Sequence, residues 1–299
     1  MKRFLLPVLL SILSLPFELH AGAWTLRKGT IYAKASFFAS QTRHTFNSTG
    51  DRVLFLFNGK SRIYGTNLEF SYGLLDDLTL YVNIPYIVYR LGDDRIREEG
   101  EGFGDVLGSV KFNILAKPLV TSFEFQVKFP TAETFDPTRV LVGEGQYDFD
   151  FIAEFGYLWR QTSTYWNVEA GYRYRARNEA REFKPGDEII YRLETGYFIS
   201  HKLTVSALIN GFTGTRTEIL GLRLQNTQRN QVSITPSLTY QFNQSLALRV
   251  DYGVPIDGRN FYAGRVLTVG ISFTTAPKDN ILPKINIPSV RGVTCCTTQ

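Results

Sequence analysis

The sequence predicts an all-β fold, an antiparallel transmembrane β-barrel of about twelve strands with both termini in the periplasm. Three observations predict it. From Gly29 to Phe273 the chain runs in segments of about ten residues in which every second side chain is apolar or aromatic. The intervening row carries most of the charge, the inverse of a soluble β-sandwich, whose polar row is the exposed one. The connections are alternately short and long, as expected when hairpins open to two different compartments.

The N-terminus reads MKRFLLPVLLSILSLPFELHAGA. Lys2 and Arg3 form a positive start, Phe4 to Leu15 an apolar stretch, and Ala21-Gly22-Ala23 an A-x-A cleavage site, so the mature chain is expected to begin at Trp24. Pro7, Pro16 and Glu18 keep the apolar run short of the roughly 20 residues a spanning helix needs. No later segment is apolar enough to be one. The expected division is a signal peptide at 1–23, a barrel at 24–274 and a periplasmic tail at 275–299, in the outer membrane of a Gram-negative-type bacterium. The composition agrees, because 23 Phe, 16 Tyr and 25 Gly against one Met suit strands, turns and interfacial rings.

The first strand, Ile31 to Ser40, alternates from its first residue. Arg62 to Tyr72 follows, then the turn GLLDD and Leu78 to Tyr89. In that third segment Leu78, Leu80, Val82, Ile84, Tyr86 and Val88 face one side, and Thr79, Tyr81, Asn83, Pro85, Ile87 and Tyr89 the other. Asp105 to Leu115 and Thr121 to Phe129 are joined by AKPLV. Tyr147 to Trp159 puts Tyr147, Phe149, Phe151, Ala153, Phe155 and Tyr157 outward. Its other row holds Asp148, Asp150, Ile152, Glu154 and Gly156, and three carboxylates cannot face hydrocarbon. Tyr165 to Arg175, Ile189 to Tyr197, Leu203 to Phe212, Val232 to Phe242, Leu246 to Val254 and Arg265 to Phe273 complete an even count.

Short turns follow Tyr72, Leu115, Trp159, Tyr197 and Phe242 and are expected in the periplasm. Long connections, among them the charge run RLGDDRIREEGEG read as a solvated loop, are expected outside the cell. Aromatic residues gather at both rims: Tyr72, Tyr157, Trp166, Tyr197, Tyr240 and Phe273 at one, Tyr64, Tyr147, Tyr174 and Tyr252 near the other. Headgroup depth is where amphipathic rings settle. Phe273 closes the last strand, either as a signal to the barrel-assembly machinery or as ordinary packing. Lipid and lipopolysaccharide are the expected surroundings.

The inward rows are expected to line the lumen with Lys34, Glu69, Lys111, Glu124, Lys128, Asp148, Asp150, Glu154, Glu169, Arg173, Arg175, Arg192, Glu194, Arg249 and Asp251. Tight turns fix register, and they set Asp150 opposite Arg173, Asp148 opposite Arg175 and Lys111 opposite Glu124. Two readings stand. The charges are cross-strand ion pairs that satisfy one another, or Arg173, Arg175 and Arg192 form a basic constriction that selects anions. Unpaired buried charge is costly, which weighs toward the pairs.

Catalysis is not expected. A barrel lipase or protease needs a histidine beside its nucleophile or acid. Beyond the signal only His44 and His201 remain, one in a long loop and one in the short turn FISHK. No metal or cofactor is expected either, since the two cysteines stand together at Cys295-Cys296 with no spaced ligand pattern. The whole-chain charge of +5, less one for the signal's Lys2, Arg3 and Glu18, is too small and too dispersed for nucleic acid. Gly102-Phe103-Gly104 precedes a strand rather than a helix, so it lacks the geometry of a phosphate loop.

The stretch GFGDVLGSVKFNILAKP, then FEFQVKFPTAE and GEGQYDFDFIAEFGY, resembles the outer-membrane family named for the meta-pathway of phenol degradation. The matching residues are Gly102, Gly104, Asp105, Val106 and Lys111, then Lys128, Pro130 and Thr131, then Gly143 and Gly145. Ala132 stands where the family usually has glycine, and the long tail is a further departure. The resemblance implies an outer-membrane barrel that passively takes up small compounds, aromatic or hydrophobic ones among them. The alternative is a closed structural or adhesive barrel whose long loops bind ligands.

Overall fold

The computed structural model describes residues 22–95, 97–132, 142–159 and 161–275. Among these residues twelve antiparallel strands close into one barrel. They are β1 (Ile31–Thr42), β2 (Lys60–Leu75), β3 (Leu78–Gly92), β4 in two pieces (Arg97–Phe103 and Val106–Leu115), β5 (Val120–Phe129) and β6 (Asp148–Trp159). The second half is β7 (Thr164–Arg175), β8 (Glu188–Phe198), β9 (Leu203–Gly214), β10 (Asn230–Gln241), β11 (Leu246–Arg259) and β12 (Arg265–Thr274). Each strand pairs with the next, and β12 pairs back onto β1 from Tyr32↔Thr274 to Gln41↔Arg265, which closes the sheet on itself; the upper piece of β4 is paired on its β3 side.

The strand faces follow the period-two pattern. On β3 the row Thr79, Tyr81, Asn83, Pro85, Ile87 and Tyr89 is buried, while Leu80 and its row face out. Exposed apolar side chains circle the wall: Phe37, Leu68, Phe70, Val110, Phe123, Phe151, Leu193, Ile209, Leu238, Leu267 and Ile271. Such a belt needs lipid rather than water around it. The interior, by contrast, holds fully buried Arg175, Gln126, Glu124, Glu154, Glu188 and Asn83. The polarity is inside out.

One expectation needs correcting. The charge run after Tyr89 is not all solvated loop, because Arg97–Phe103 pairs with Tyr86–Gly92 and carries the wall higher. Alternating EEGEGF offers a strand to the ladder groups of β3, which would otherwise stand unpaired. The break between the two pieces of β4 falls opposite Pro85, which has no N–H to donate and accepts from Gly104 N–H at 2.9 Å.

The two ends of the barrel differ. At the short-turn end the segment from Gly22 to Lys28 runs inside the mouth. Ala23 N–H donates to Asn167 Oδ1 on β7, Leu26 N–H to Thr79 Oγ1 on β3, and Gly29 N–H to the Gly73 carbonyl on β2. Thr275 closes the described chain at that same end, bonded to Ile31. At the long-loop end Phe38, Ile63, Ile87 and Tyr89, on the adjacent strands β1, β2 and β3, pack with Ala132 and Val142 on the inner face. A small loop sheet, in which His44–Phe46 pairs with Arg52–Leu54 and Phe261–Tyr262, holds Phe261 and Tyr262 there. Their contacts are a Phe212–Phe261 ring pair at 5.5 Å and a Tyr89–Tyr262 hydroxyl bond at 2.8 Å. Residues before Gly22 and after Thr275, the Cys295-Cys296 pair included, lie outside the described residues.

Candidate functional site in the barrel lumen

The lumen is built from inward-facing rows, and its charge falls into two clusters. Toward the long loops, Lys128, Asp148 and Arg175 stand in line across β5, β6 and β7, with Asp150, Arg173 and Glu188 one step nearer the short turns. Arg173 meets Asp150 at 2.8 Å and Glu188 at 3.2 Å. Arg175 meets Glu188 at 3.1 Å, Asp148 at 3.5 Å and Glu144. Lys128 reaches Glu144 at 2.5 Å, Asp148 at 2.7 Å and Asp105 at 3.7 Å, and Arg229 closes the set on Glu188 at 3.0 Å. Burial alone would push the Glu144 carboxyl up, but Arg175, Lys128 and Arg229 together hold it well below the usual carboxylate range.

Toward the short turns, Lys111 lies 3.3 Å from Glu124 and 2.9 Å from Glu154, and Arg192 lies 3.6 Å from Glu169. Around the wall, Lys34 pairs with Glu69 at 3.3 Å, and Arg249 with Asp251 at 2.7 Å and Glu194 at 3.5 Å. Every lumen charge expected from the alternation thus faces inward within an ion pair. Arg173, Arg175 and Arg192 are each engaged by carboxylates, so the fixed charge they offer to a passing anion is already offset.

Three members of the upper cluster had no signal in strand alternation. Glu144 and Arg229 come from connections, and Glu188 precedes the expected start of its strand. The aromatic residues named for the rims point outward. Tyr72, Tyr147, Tyr174, Tyr197, Tyr240, Tyr252 and Phe273 are exposed, Tyr64 is half-buried beneath Arg90, and Tyr157 stacks on Trp166 at 6.4 Å. His44 lies past the long-loop end of β1 and His201 in the short turn after β8, at opposite ends of the barrel.

Away from the clusters the wall of β1, β2 and β9–β12 lines a cavity of about 90 Å³. Apolar faces come from Phe38, Ile63, Leu208, Phe261, Tyr262 and Val266. Hydroxyls and amides come from Ser36, Ser61, Asn67, Gln231 and Thr235, and Asn67 Oδ1 is buried with no hydrogen-bond partner among the described residues. Lys34, Glu69 and Asp251 stand at its lower end.

The family described as "Putative MetA-pathway of phenol degradation" matches residues 40–269. The chain belongs to this family. Among solved structures, an outer membrane channel from Pseudomonas putida F1 superposes with a TM-score of 0.72 at 14% identity, over 84% of this chain and 97% of that one. The β domain of the Bordetella autotransporter Brka superposes at 0.50 with 11% identity, over 82% and 99%. Identities this low establish a shared fold: an outer-membrane β-barrel. No curated protein matches the chain.

Several of the motif residues quoted above, Asp105, Thr131, Gly143 and Gly145 among them, meet in one latch, whereas Lys111 lies in the cluster toward the short turns. Asp105 accepts from Ala132 N–H at 3.3 Å and Glu144 N–H at 2.9 Å, so it ties together both ends of the connection between β5 and β6. Thr131 Oγ1 accepts from Val106 N–H at 2.8 Å and donates to the Gly104 carbonyl at 3.1 Å. Gly143 packs so closely that a Cβ there would lie 2.2 Å from the Ala132 Cβ and 2.5 Å from Asp105 Oδ1. Gly145 has φ +75, which favours glycine, and a Cβ there would approach the Asn178 amide at 2.6 Å. The motif therefore positions Lys128 and Glu144 in the upper cluster, and with them the shape of the lumen.

Proposed function

We propose that this outer-membrane barrel is a passive channel for small uncharged compounds, aromatic or hydrophobic ones among them. The observation that carries the reading is the cavity along β1, β2 and β9–β12. Its walls offer ring and alkyl faces beside hydroxyl and amide groups, while the charges of the two clusters stand in ion pairs. The family's description and the printed title of the Pseudomonas putida structure, an outer membrane channel, support it. In this reading an export leader precedes the barrel, the barrel-assembly machinery inserts it, lipopolysaccharide surrounds its outer rim, and the short turns and both termini face the periplasm.

Size sets the expected behaviour. A cavity of roughly 150 Å³ takes a benzene ring. At about 90 Å³ the slot is smaller than that. Low conductance with measurable flux of small solutes into proteoliposomes is the expected result, and a barrel sealed to ions and to a panel of neutral solutes would overturn the reading. The same tightness, with the apolar cap at the long-loop end, favours the second reading of a closed structural or adhesive barrel. Deleting a long loop separates the two: loss of a surface-binding phenotype with flux unchanged supports the second.

A further inference from the structure

From the socket occupied by Gly22 and Ala23 we infer that the export leader is cut between Ala21 and Gly22. The new α-ammonium of Gly22 is then held inside the lumen beside Glu124, Glu154 and Glu169. The inference rests on export of the chain through a cleaved leader. Hydrolysis adds water across the Ala21–Gly22 amide: the C–N bond breaks, Ala21 leaves as a carboxylate, and the freed nitrogen takes up a proton.

The socket is built for these two residues. Gly22 has φ +61, and a Cβ there would sit 2.2 Å from the Asn167 side chain, so backbone and space both require glycine. Ala23 is 0% exposed. Its N–H donates to Asn167 Oδ1 at 2.9 Å, its carbonyl accepts from Ser122 Oγ at 2.5 Å, and the Gly22 carbonyl accepts from Lys111 Nζ at 2.8 Å. A chain beginning at Trp24, as the A-x-A pattern suggests, would take these contacts away from Asn167, Ser122 and Lys111, all of them buried. A cut before Gly22 keeps them, with Ala21 as the small residue preceding the bond and Leu19 in place of the first alanine.

Charge points the same way. Glu124 and Glu154 share Lys111, and Glu169 pairs with Arg192, which makes this an acid-rich cluster. Glu154 stands directly across the ladder from Glu169, like charge against like. Asn167 Nδ2 donates to Glu169 at 2.9 Å while its oxygen holds Ala23, so the socket and the acids form one unit. An ammonium on Gly22 adds positive charge beside these acids. It also anchors the segment that runs along the mouth from β7 to β2, which leaves the opposite wall for the cavity.

The intact mass of the protein extracted from outer membranes decides the cut. A chain starting at Gly22 is expected; a start at Trp24 overturns the inference, and a retained leader overturns the export reading as well. Burial is tested on the same protein with an amine-reactive acylating reagent, followed by peptide mapping. The N-terminal peptide is expected to be protected in the folded barrel and labelled after unfolding in urea, and Gly22→Ala is expected to be labelled while folded. Equal labelling of the wild-type terminus in both states would overturn it.

Discussion

Arg173 on β7 grips Asp150 directly across the hairpin on β6, with Nε and Nη2 each 2.8 Å from a different carboxylate oxygen, and its Nη1 reaches Glu188 on β8 at 3.2 Å. One guanidinium thereby ties three strands. Two-pronged pairs of this kind are directional as well as strong, and the register of β6 and β7 presents them. Replacing Arg173 with Leu strips Asp150 of its partner in the lumen. The expected cost is about 3–5 kcal/mol, read as a lower midpoint in urea unfolding. Arg173→Gln with Asp150→Asn, which removes both charges, is expected to cost less. A double variant as unstable as the single one would show that the stranded Asp150 charge is not the source of the loss.

Gly143 tests the latch. Gly143→Ala drives a Cβ toward those of Ala132 and the Asp105 carboxylate, and overpacking of this sort costs about 1–3 kcal/mol. Ala132→Gly in the same chain is expected to recover part of that loss, since it removes the nearest obstructing atom. Heat-dependent mobility of the folded barrel on gels measures both.

Acid should act late on Glu144, whereas burial raises the carboxyl of its latch partner Asp105. The Glu144 carboxyl is held well below its ordinary value of 4.5, so its contribution to stability is fully present above that value. It is lost only as pH falls through the depressed folded value. Amide exchange of Glu144, whose N–H is bonded to Asp105, is expected to stay slow at pH 4 in wild type and to be fast there in Glu144→Gln. Equal exchange in the two would remove the carboxylate from the latch.

The cavity wall offers a direct block. Thr235→Trp on β10 places an indole among Phe38, Leu208 and Phe261. Solute flux is expected to fall to near background, and overfilling a slot of about 90 Å³ is expected to lower stability by about 1–3 kcal/mol without unfolding the barrel. Thr239, on the same strand near the short turns and outside the cavity lining, serves as the control for strand disruption by the same substitution.

Much of the wall was legible. Alternation assigned a side to nearly every residue of β3 and β6, and two short turns place Asp150 opposite Arg173, Asp148 opposite Arg175 and Lys111 opposite Glu124, the register the barrel has. Tight hairpins make register a local property, and lipid leaves no tolerance for a slip that turns charge outward. Glu144 and Arg229 were not legible, because long connections have no period to read. The strand at Arg97–Phe103 was hidden in a run that composition alone marks as solvated.

The amino-acid sequence by itself determined the closed wall, its lipid face and the sign pattern of its interior, since each depends on neighbours two residues away or across one turn. The tertiary structure decided what fills that wall. Ala23 meets Asn167 across 144 positions, Tyr89 meets Tyr262 across 173, and Asp105 reaches Glu144 across 39. Closing twelve strands fixes which distant rows stand face to face, and only then do the segment at the mouth, the apolar cap and the slot between charge clusters exist.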